Sequence, residues 1–218
     1  VHRWINHPTA NVLASHKLEQ LTRAQRLGLA VPQTLVTQDP AALRAFWRSA
    51  HGIIAKPLAS GYLERDDGRG DTLIYTSEVE RRHLRNAESV RACPTLFQVR
   101  IAKRYDVRVC VIDREILAVA MERSDRALDV RRDNMEGVAY RPSVPPARTA
   151  RAARRLVSSY GLRFAALDFV VDAAGTWYFL ELNPNGQWAW LDLVGGADFA
   201  GQFCRALSVS RKSGRDGK

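Results

Sequence analysis

Two apolar runs near the C-terminal end, joined by a glycine-containing turn, constrain the fold of this chain more than any other stretch. Residues 164–171 and 176–183 alternate as strands do, and Asp172-Ala173-Ala174-Gly175 between them has the composition of a turn. The pattern predicts a β-hairpin in which Val171 pairs with Thr176. One face of this hairpin would then carry the apolar side chains that a core requires: Leu167, Phe169, Val171, Tyr178, Leu180 and Leu182.

The opposite face of the predicted hairpin gathers three side chains with oxygen atoms. Asp168 would lie opposite Phe179 and diagonal to Glu181, and Asn183 would follow two residues later on the same face. Two carboxylates this close repel each other unless a cation lies between them, and hard oxygen ligands without His or Cys favour magnesium or manganese. The alternative is a solvated hairpin face that ends in a turn at Asn-Pro-Asn-Gly.

The rest of the sequence predicts helices alternating with strands and one further hairpin. Gly28 would end the first helix, and Asp39 and Pro40 would begin the second. Helices are expected at 15–27, 39–52, 77–92 and 145–160, strands at 33–37, 53–57, 72–76, 96–101, 105–112 and 115–123, and a polar loop at 59–71. This order predicts an α+β fold and not a parallel βαβ array.

The basic composition limits the partners. An excess of Lys and Arg gives a formal net charge of +10 and a pI near 10.1, which favours nucleotide phosphates, acidic peptides or nucleic acid. Cys93, Cys110 and Cys204 lie too far apart for a disulfide framework or a zinc site, and we interpret them as buried thiols. The histidines, at the chain start, in turns and on helix surfaces, are assigned no role.

Two other patterns are missing from the sequence. No apolar run is long enough to span a membrane, and the first residues have no secretory signal, so we expect a cytoplasmic protein without membrane contact. Neither a Walker A sequence nor G-x-G-x-x-G occurs, so a bound nucleotide would need a different phosphate cradle.

The chain resembles the magnesium motif of ATP-grasp ligases at residues 167–169 and 179–188. These residues read Leu-Asp-Phe and Phe-Leu-Glu-Leu-Asn-Pro-Asn-Gly-Gln-Trp. The ending Asn-Pro-Asn-Gly-Gln-Trp looks like the branch that matures ribosomally made peptides, the microviridin-type (graspetide) macrocycle ligases. The resemblance extends to about Cys204. Further matching segments are residues 14–17 and 28–37 for the opening helix and strand, 54–57 for the lysine strand, and 97–98, 103 and 106–109 around the interlobe segment.

The resemblance implies metal and phosphate ligands. Asp168, Glu181 and Asn183 would hold the magnesium ions that bridge the ATP phosphates, with manganese as a substitute. Lys17 and Lys56 would contact the phosphates from the other lobe. Without the resemblance, Lys17 would be interpreted as an ordinary exposed lysine on a helix. Lys56 lies in a short buried strand, where a lysine needs an anionic partner.

The same resemblance implies contacts to adenine and to the reacting groups. Gln98, with Val99 and Arg100 after it, would lie against adenine at the hinge, and the alternative for Gln98 is an edge-strand side chain. Lys103, also a nucleotide ligand, and Arg108 would face the γ-phosphate or the acyl phosphate, unless Arg108 merely pairs with Asp106.

A carboxylate-binding arginine is implied at position 131. Arg131 lies in Asp129-Val130-Arg131, where valine replaces the tryptophan of the family's Asp-Trp-Arg. It would hold the reacting carboxylate bidentately, although a solvated arginine is equally compatible with so basic a segment.

The resemblance implies an ATP-grasp fold of two α+β lobes that grip a nucleotide, without the N-terminal domain that usually precedes the lysine helix. We expect an opening helix and strand at 1–37, a nucleotide-binding lobe at 38–100, a catalytic metal-binding lobe at 101–207 and a basic flexible tail at 208–218. The chain would be a shortened fragment or a natural short form, completed by a homodimer or by a partner that supplies the missing domain.

Three functions stay open on the sequence. The first is an ATP-dependent ligase that activates an Asp or Glu carboxylate of an acidic precursor peptide as an acyl phosphate and forms an ester or amide. The second is another ATP-grasp ligase, such as an α-glutamate ligase acting on amino acids. The third is a basic module with a degenerate nucleotide site, disfavoured for nucleic acid because no aromatic stacking motif accompanies the charge.

Overall fold

The computed structural model of the chain describes residues 4–58, 62–63, 72–123, 137–196 and 198–208. The helices in these ranges are α1 (Pro8–Ala14), α2 (Lys17–Arg26), α3 (Pro40–Ser49), the 3-10 helix η1 (His83–Ala92), α4 (Ala147–Ser159), α5 (Ala189–Gly195) and α6 (Phe199–Ser208). The strands are β1 (Thr34–Thr37), β2 (Ile53–Lys56), β3 (Tyr62–Leu63), β4 (Thr72–Leu73), β5 (Ser77–Glu78), β6 (Thr95–Val99), β7 (Lys103–Ile112), β8 (Glu115–Arg123), β9 (Val138–Pro142), β10 (Phe164–Asp172) and β11 (Trp177–Asn183). No described helix is long and apolar enough to cross a membrane.

The strands form two larger antiparallel sheets, which confirms the predicted α+β class. The first sheet has the order β1-β6-β2-β5, and the second has the order β11-β10-β7-β8-β9; β3 and β4 form a separate pair. Helix α3 and η1 pack on the first sheet through an apolar cluster that includes Phe46, Ala87 and Phe97. Each sheet therefore has its own core, as expected of two lobes.

The second sheet has one fully apolar face and one divided face. Helices α2 and α4 cover the apolar face, where Leu156 and Phe179 are fully buried. On the opposite face, Cys110, Phe164 and Leu191 belong to a smaller apolar cluster with α5 and α6. Farther along the same strands that face becomes polar, and it borders the space between the two sheets.

The predicted end of one helix at Gly28 and the predicted start of the next at Asp39 and Pro40 are confirmed, whereas α1 was not predicted and α3 ends at Ser49 instead of near residue 52. Asp39 accepts hydrogen bonds from the backbone N–H groups of Ala41 and Ala42, and Pro40 occupies the first position of α3. Helix α2 is followed by Gly28 with φ +89°, a left-handed conformation that glycine adopts without steric cost.

The helix predicted at 77–92 and the strand predicted at 72–76 are wrong in part. Residues 77–78 form β5, which pairs with β2, and the strand at 72 ends at Leu73. Helical structure begins only at His83, and Asn86 interrupts it with φ −110° and ψ 34°. The pairing partner of β5 lies far away in sequence, so local periodicity could not reveal it.

The register predicted for the C-terminal hairpin is also wrong. Val171 pairs with Trp177 because Asp172 accepts hydrogen bonds from the N–H groups of Ala174 and Thr176, which keeps Thr176 inside the turn. A bulge follows: Phe169 pairs with Phe179, whereas Asp168 pairs directly with Glu181.

The changed register exchanges the faces of the first half of β11. Trp177 and Phe179 are buried in the core, whereas Tyr178 and Leu180, both predicted as core residues, are only partly buried. A shift of one residue reverses every side chain because strand side chains alternate with a period of two. The bulge at Leu180 then returns Leu182 to the core and Glu181 to the polar face.

Two of the three cysteines are exposed, which corrects their interpretation as buried thiols. Cys93 and Cys204 lie at the surface, and only Cys110 is buried. Burial raises the pKa of Cys110 to about 12.

We expect two of the three thiols to react rapidly with a disulfide reagent at about pH 8, because the thiolate is the reactive form. Cys110 should react only after unfolding in denaturant. The measurement is the stoichiometry of released chromophore before and after denaturation, and rapid release of three equivalents from the folded chain would contradict the burial of Cys110.

Candidate functional site

A cleft of about 1280 Å³ separates the two sheets. It brings together ten of the residues singled out in the sequence, from five different parts of the chain. They are Lys17, Lys56, Gln98, Val99, Arg100, Lys103, Arg108, Asp168, Glu181 and Asn183. Arg131 and the segment 129–131 lie outside the described residues.

The three oxygen-bearing side chains of the C-terminal hairpin meet at one point in this cleft. The Asn183 amide nitrogen lies 3.3 Å from Asp168 Oδ2 and 3.2 Å from Glu181 Oε1. Direct pairing of Asp168 with Glu181 places both carboxylates on the same face. The bulge therefore brings the two carboxylates closer than the diagonal arrangement predicted from the sequence.

This donor set fits a magnesium ion. Magnesium is bound in nucleotide enzymes through one or two carboxylates together with the phosphates. Among the described residues no group of three or more His, Cys, Asp or Glu side chains could hold a metal, so a metal bound by these two carboxylates would need Asn183 as the third protein donor. Turning the Asn183 amide over would replace its nitrogen by its oxygen at the point where Asp168 Oδ2 and Glu181 Oε1 converge.

A buried arginine borders the carboxylates. Arg108 is only 8% exposed, and its Nε lies 2.8 Å from Asp168 Oδ1. The distance is that of an ion pair, and within the described part of the chain Nε–H meets no acceptor in hydrogen-bond geometry. Asp106, the alternative partner predicted for Arg108, accepts a 2.6 Å hydrogen bond from Lys103. Arg108 thus places a positive charge beside Asp168.

On the opposite wall, a short relay of hydrogen bonds orients a lysine. Lys56 Nζ donates to Gln98 Oε1 at 3.1 Å, and Gln98 Nε2 donates to Thr34 Oγ1 at 3.0 Å. Gln98 is 1% exposed on β6, which lies between β1 and β2, so the alternative of an edge-strand side chain is wrong. Because both ends of its amide are engaged, Gln98 holds the Lys56 ammonium toward the cleft.

Val99 and Arg100 continue this wall beyond Gln98. The N–H of Val99 donates to Gln33 O and that of Arg100 to Gly52 O, both at 2.9 Å. The Arg100 guanidinium forms an exposed ion pair with Glu78. A ligand would therefore meet the carbonyl oxygens or side chains of Val99 and Arg100 and not their N–H groups.

Lys17 enters the cleft from the first residue of α2. Its Nζ donates to the carbonyl oxygen of Pro57 at 3.0 Å, directly after the strand that carries Lys56. The positive end of the helix dipole lies at the same position, which adds to the attraction for anions. Lys17, Lys56 and Lys103 thus line the same cleft as the two carboxylates.

Two buried amides that the sequence reasoning missed lie behind the site. Gln20 and Asn6 are 2% and 5% exposed, and each makes several hydrogen bonds to backbone groups near the ends of β10 and β11. Gln20 had a detectable signal, because it lies on the apolar face of α2 together with Leu21 and Ala24. Asn6 lies in an irregular segment and had none.

Gly186→Ala is expected to disturb the loop after β11, which lies against Ala166 and Asn183. A Cβ at position 186 would lie 2.4 Å from the Cβ of Ala166 and 3.2 Å from Asn183 O, so the loop after β11 would have to move. We expect a loss of about 1–3 kcal/mol in the free energy of unfolding, as in other overpacked sites. Chemical denaturation measures it.

The double variant Ala166→Gly with Gly186→Ala removes the colliding methyl group and serves as the test of cause. It should recover part of the stability lost in Gly186→Ala. If the double variant instead loses as much stability as the two single variants together, the collision with Ala166 is not the source of the loss.

Comparison with sequence families matched more than half of the chain. The family described as prokaryotic glutathione synthetase, ATP-grasp domain, matches residues 19–174, more than half of the 218-residue chain. The comparison with curated proteins gave no match.

Among solved structures, strong matches are two macrocyclases and an ATP-grasp ligase. Macrocyclase MdnB from Microcystis aeruginosa MRC is 28% identical, with a TM-score of 0.76 over 95% of this chain and 64% of its own. Macrocyclase MdnC of the same organism, bound with precursor peptide MdnA, is 28% identical, with a TM-score of 0.74 over 87% of this chain and 57% of its own.

A third match is the ATP-grasp ligase PsnB, complexed with minimal precursor, Mg and ADP. It is 28% identical, with a TM-score of 0.74 over 92% of this chain and 59% of its own. The predicted ATP-grasp fold is thereby confirmed. The chain spans about three fifths of the length of these three structures.

Proposed function

This chain belongs to the family of the prokaryotic glutathione synthetase ATP-grasp domain, and we propose that it is the ATP-binding and catalytic part of a ligase that modifies peptides. The ligase would activate an Asp or Glu carboxylate of a precursor peptide and join it to a hydroxyl or amine. The observation that carries the proposal is the meeting of Asp168, Glu181 and Asn183 within a cleft whose other wall presents Lys17 and Lys56.

The proposed reaction has two steps. A carboxylate oxygen of the peptide attacks the γ-phosphorus of ATP, the bond to the β–γ bridging oxygen breaks, and ADP leaves with an acyl phosphate formed. A hydroxyl or amine then attacks the acyl carbon, loses its proton and releases inorganic phosphate, giving an ester or amide. Neither step needs an enzyme nucleophile, so positioning and positive charge are the main demands on the protein.

The residues of the cleft meet these demands from two sides. The lobe of residues 38–100 would hold adenine beside Gln98, Val99 and Arg100 and would bring Lys56 to the phosphates. The lobe of residues 101–207 would supply the metal ligands. Asp168, Glu181 and Asn183 would hold magnesium, which when bound neutralises charge on the phosphates.

Cations near the carboxylates would act on the transferring phosphoryl group. Arg108 is buried beside Asp168, and no described residue accepts a hydrogen bond from its Nε–H. Lys103 lies on the same strand, held by Asp106. Both would favour the negative charge that spreads over the γ-phosphoryl oxygens. Arg131 is proposed, from the sequence resemblance alone, to hold the substrate carboxylate.

A peptide substrate is supported by the nature of the similar structures. MdnC is bound with a precursor peptide and PsnB with a minimal precursor, each at 28% identity to this chain. The second candidate is a ligase acting on free amino acids or a small peptide thiol precursor, and the match to the glutathione synthetase family supports it. The two candidates share the cleft chemistry and differ in the size of the carboxylate substrate.

Calorimetric titration tests the shared chemistry. ATP is titrated into the purified chain with excess magnesium, and again with a chelator. ATP is expected to bind when magnesium is present and not when the chelator removes it. No ATP binding under either condition would contradict the proposed site.

Trapping with hydroxylamine separates the two substrate classes. An acyl phosphate reacts with hydroxylamine to give a hydroxamate, so hydroxamate is expected with MgATP and an acidic peptide. Free glutamate and γ-glutamylcysteine are the matched small substrates. Hydroxamate from these compounds, without any from acidic peptides, would favour the second candidate.

A further inference from the structure

The outer edge of β11 is fastened at two places, one on each side of the bulge. Before the bulge, Phe179 N–H donates to the carbonyl oxygen of Ala30 at 2.8 Å, and Ala30 forms an isolated parallel bridge with Tyr178. After the bulge, the side chain of Gln20 takes over. Leu180, between the two attachments, has no partner in the register with β10.

The side-chain amide of Gln20 makes, with one residue of β11, the two hydrogen bonds that a neighbouring strand would make. Its Oε1 accepts from Leu182 N at 2.9 Å, and its Nε2 donates to Leu182 O at 2.8 Å. The same Nε2 donates to Ala14 O, at the end of α1. Both backbone groups of Leu182 are satisfied by one side chain that is itself 2% exposed.

Leu182 lies between the two β11 side chains of the candidate metal site. Only three residue pairs join β11 to β10 after the bulge, Asp168–Glu181, Leu167–Leu182 and Ala166–Asn183. So short a stretch on an edge strand is held weakly by its inner neighbour alone. Fixing Leu182 from the outer side fixes the backbone from which Glu181 and Asn183 project.

We propose that Gln20 is a positioning residue for the magnesium site, acting through the backbone of Leu182 on the side chains of Glu181 and Asn183. The inference rests on the proposed function, because it assigns a role toward the metal that this function needs. Gln20 does not touch the cleft and is not a ligand. It holds the strand segment in the geometry at which the Asn183 amide meets both carboxylates.

A second amide holds the loop beyond β11. Asn6 donates to Phe164 O at 2.8 Å and to Pro184 O at 3.0 Å, and its Oδ1 accepts from the N–H groups of Arg163 and Phe164. Pro184 directly follows Asn183. The N-terminal segment therefore fixes the backbone on both sides of Asn183, through Gln20 before it and Asn6 after it.

The test compares Gln20→Met with a control that destabilises the same core elsewhere. Methionine keeps the length of the side chain and loses all three hydrogen bonds. Leu156→Ala opens a cavity on α4, behind the same sheet and away from the cleft. Magnesium is titrated at fixed ATP for each variant, and ATP affinity is measured separately at saturating magnesium.

We expect Gln20→Met to raise the magnesium concentration for half-saturation about 10-fold or more, the usual loss when support behind a metal ligand is removed. Its ATP affinity at saturating magnesium should change less than about 2-fold, because excess metal offsets the weaker metal binding. Leu156→Ala should leave both the magnesium midpoint and the ATP affinity unchanged while lowering the melting temperature. An unchanged magnesium midpoint in Gln20→Met would overturn the proposal and leave Gln20 a purely structural residue.

Amide hydrogen exchange without nucleotide keeps this test separate from the proposed function. Faster exchange in residues 181–186 is expected in Gln20→Met and not in Leu156→Ala. If the unaltered chain binds no MgATP, the proposed function fails, and the exchange result alone decides whether Gln20 holds this segment. Equal exchange in both variants would contradict the positioning role directly.

Discussion

Glu181→Gln is expected to weaken magnesium-dependent ATP binding by about 100-fold, a loss of ~2.7 kcal/mol. The substitution removes one of two negative charges at the point where Asp168 Oδ2, Glu181 Oε1 and the Asn183 amide converge. Glutamine keeps the shape and an oxygen that can still accept from Asn183, so the fold should be preserved. Calorimetry with magnesium and with chelator measures the effect.

Asp168→Asn should abolish the same binding but should also cost stability. Asp168 forms an ion pair with the buried Arg108, at 2.8 Å, and their side chains are 18% and 10% exposed. Removing one partner of a buried ion pair leaves an uncompensated charge, which typically costs about 3–5 kcal/mol. Glu181→Gln is therefore the cleaner probe of the metal site, and Asp168→Asn the stronger one.

The matched control for these variants is Glu80→Gln. Glu80 is an exposed glutamate outside the cleft, paired with Arg82, so its loss changes the net charge equally. It should leave magnesium-dependent binding unaffected. If Glu181→Gln binds MgATP as tightly as Glu80→Gln does, the metal site is not where the two carboxylates meet.

Lys56→Ala is expected to weaken ATP binding about 10- to 100-fold, as for the loss of a charged hydrogen bond of ~1.5–3 kcal/mol. The Lys56 ammonium is directed by the buried Gln98, which in turn is fixed by Thr34, so little freedom is lost when a phosphate binds. Lys17 begins a helix and donates to Pro57 O. Lys17→Ala should therefore cost much less, about threefold or less.

Arg82→Ala removes an exposed positive charge outside the cleft and provides the control for net charge. Titrating ATP into the three variants under one set of conditions ranks the contributions. Losses in Lys56→Ala and Lys17→Ala no larger than the loss in Arg82→Ala would mean that both lysines act only through the overall charge. A larger loss in Lys17→Ala would reverse the expected order and make the helix start the main phosphate contact.

Much of the candidate site could be predicted because its residues lie in strands with local signals. Alternation of apolar and polar residues identified the hairpins, and Asp39 with Pro40 marked the start of α3. Lys56 was recognisable as a charged residue in a buried strand. The grouping of these motifs depended on their order along the chain, which matched a known family.

Other parts of the site depend on contacts between residues far apart in sequence. From the sequence, Gln98 could have been a side chain on an edge strand. In the structure its strand, β6, lies between β1 and β2. Asp106 was the acidic partner considered for Arg108 from the sequence, but the sheet places Arg108 opposite Asp168 of β10. Strand order decides which acidic residue lies opposite Arg108, and strand order cannot be read from the local alternation of residues.

The sequence by itself determined the two hairpins, helices α2, α3 and α4 and the set of side chains that we propose to hold phosphate and metal. Tertiary structure alone decided how those side chains meet. Asp172 keeps Thr176 in the turn, and the bulge at Leu180 then sets Glu181 directly opposite Asp168. A strand tolerates either register locally, because its side chains alternate in the same way in both. Burial of Phe179 against the core and attachment of Leu182 to Gln20 act together with the Asp172 turn to select the register that forms the site.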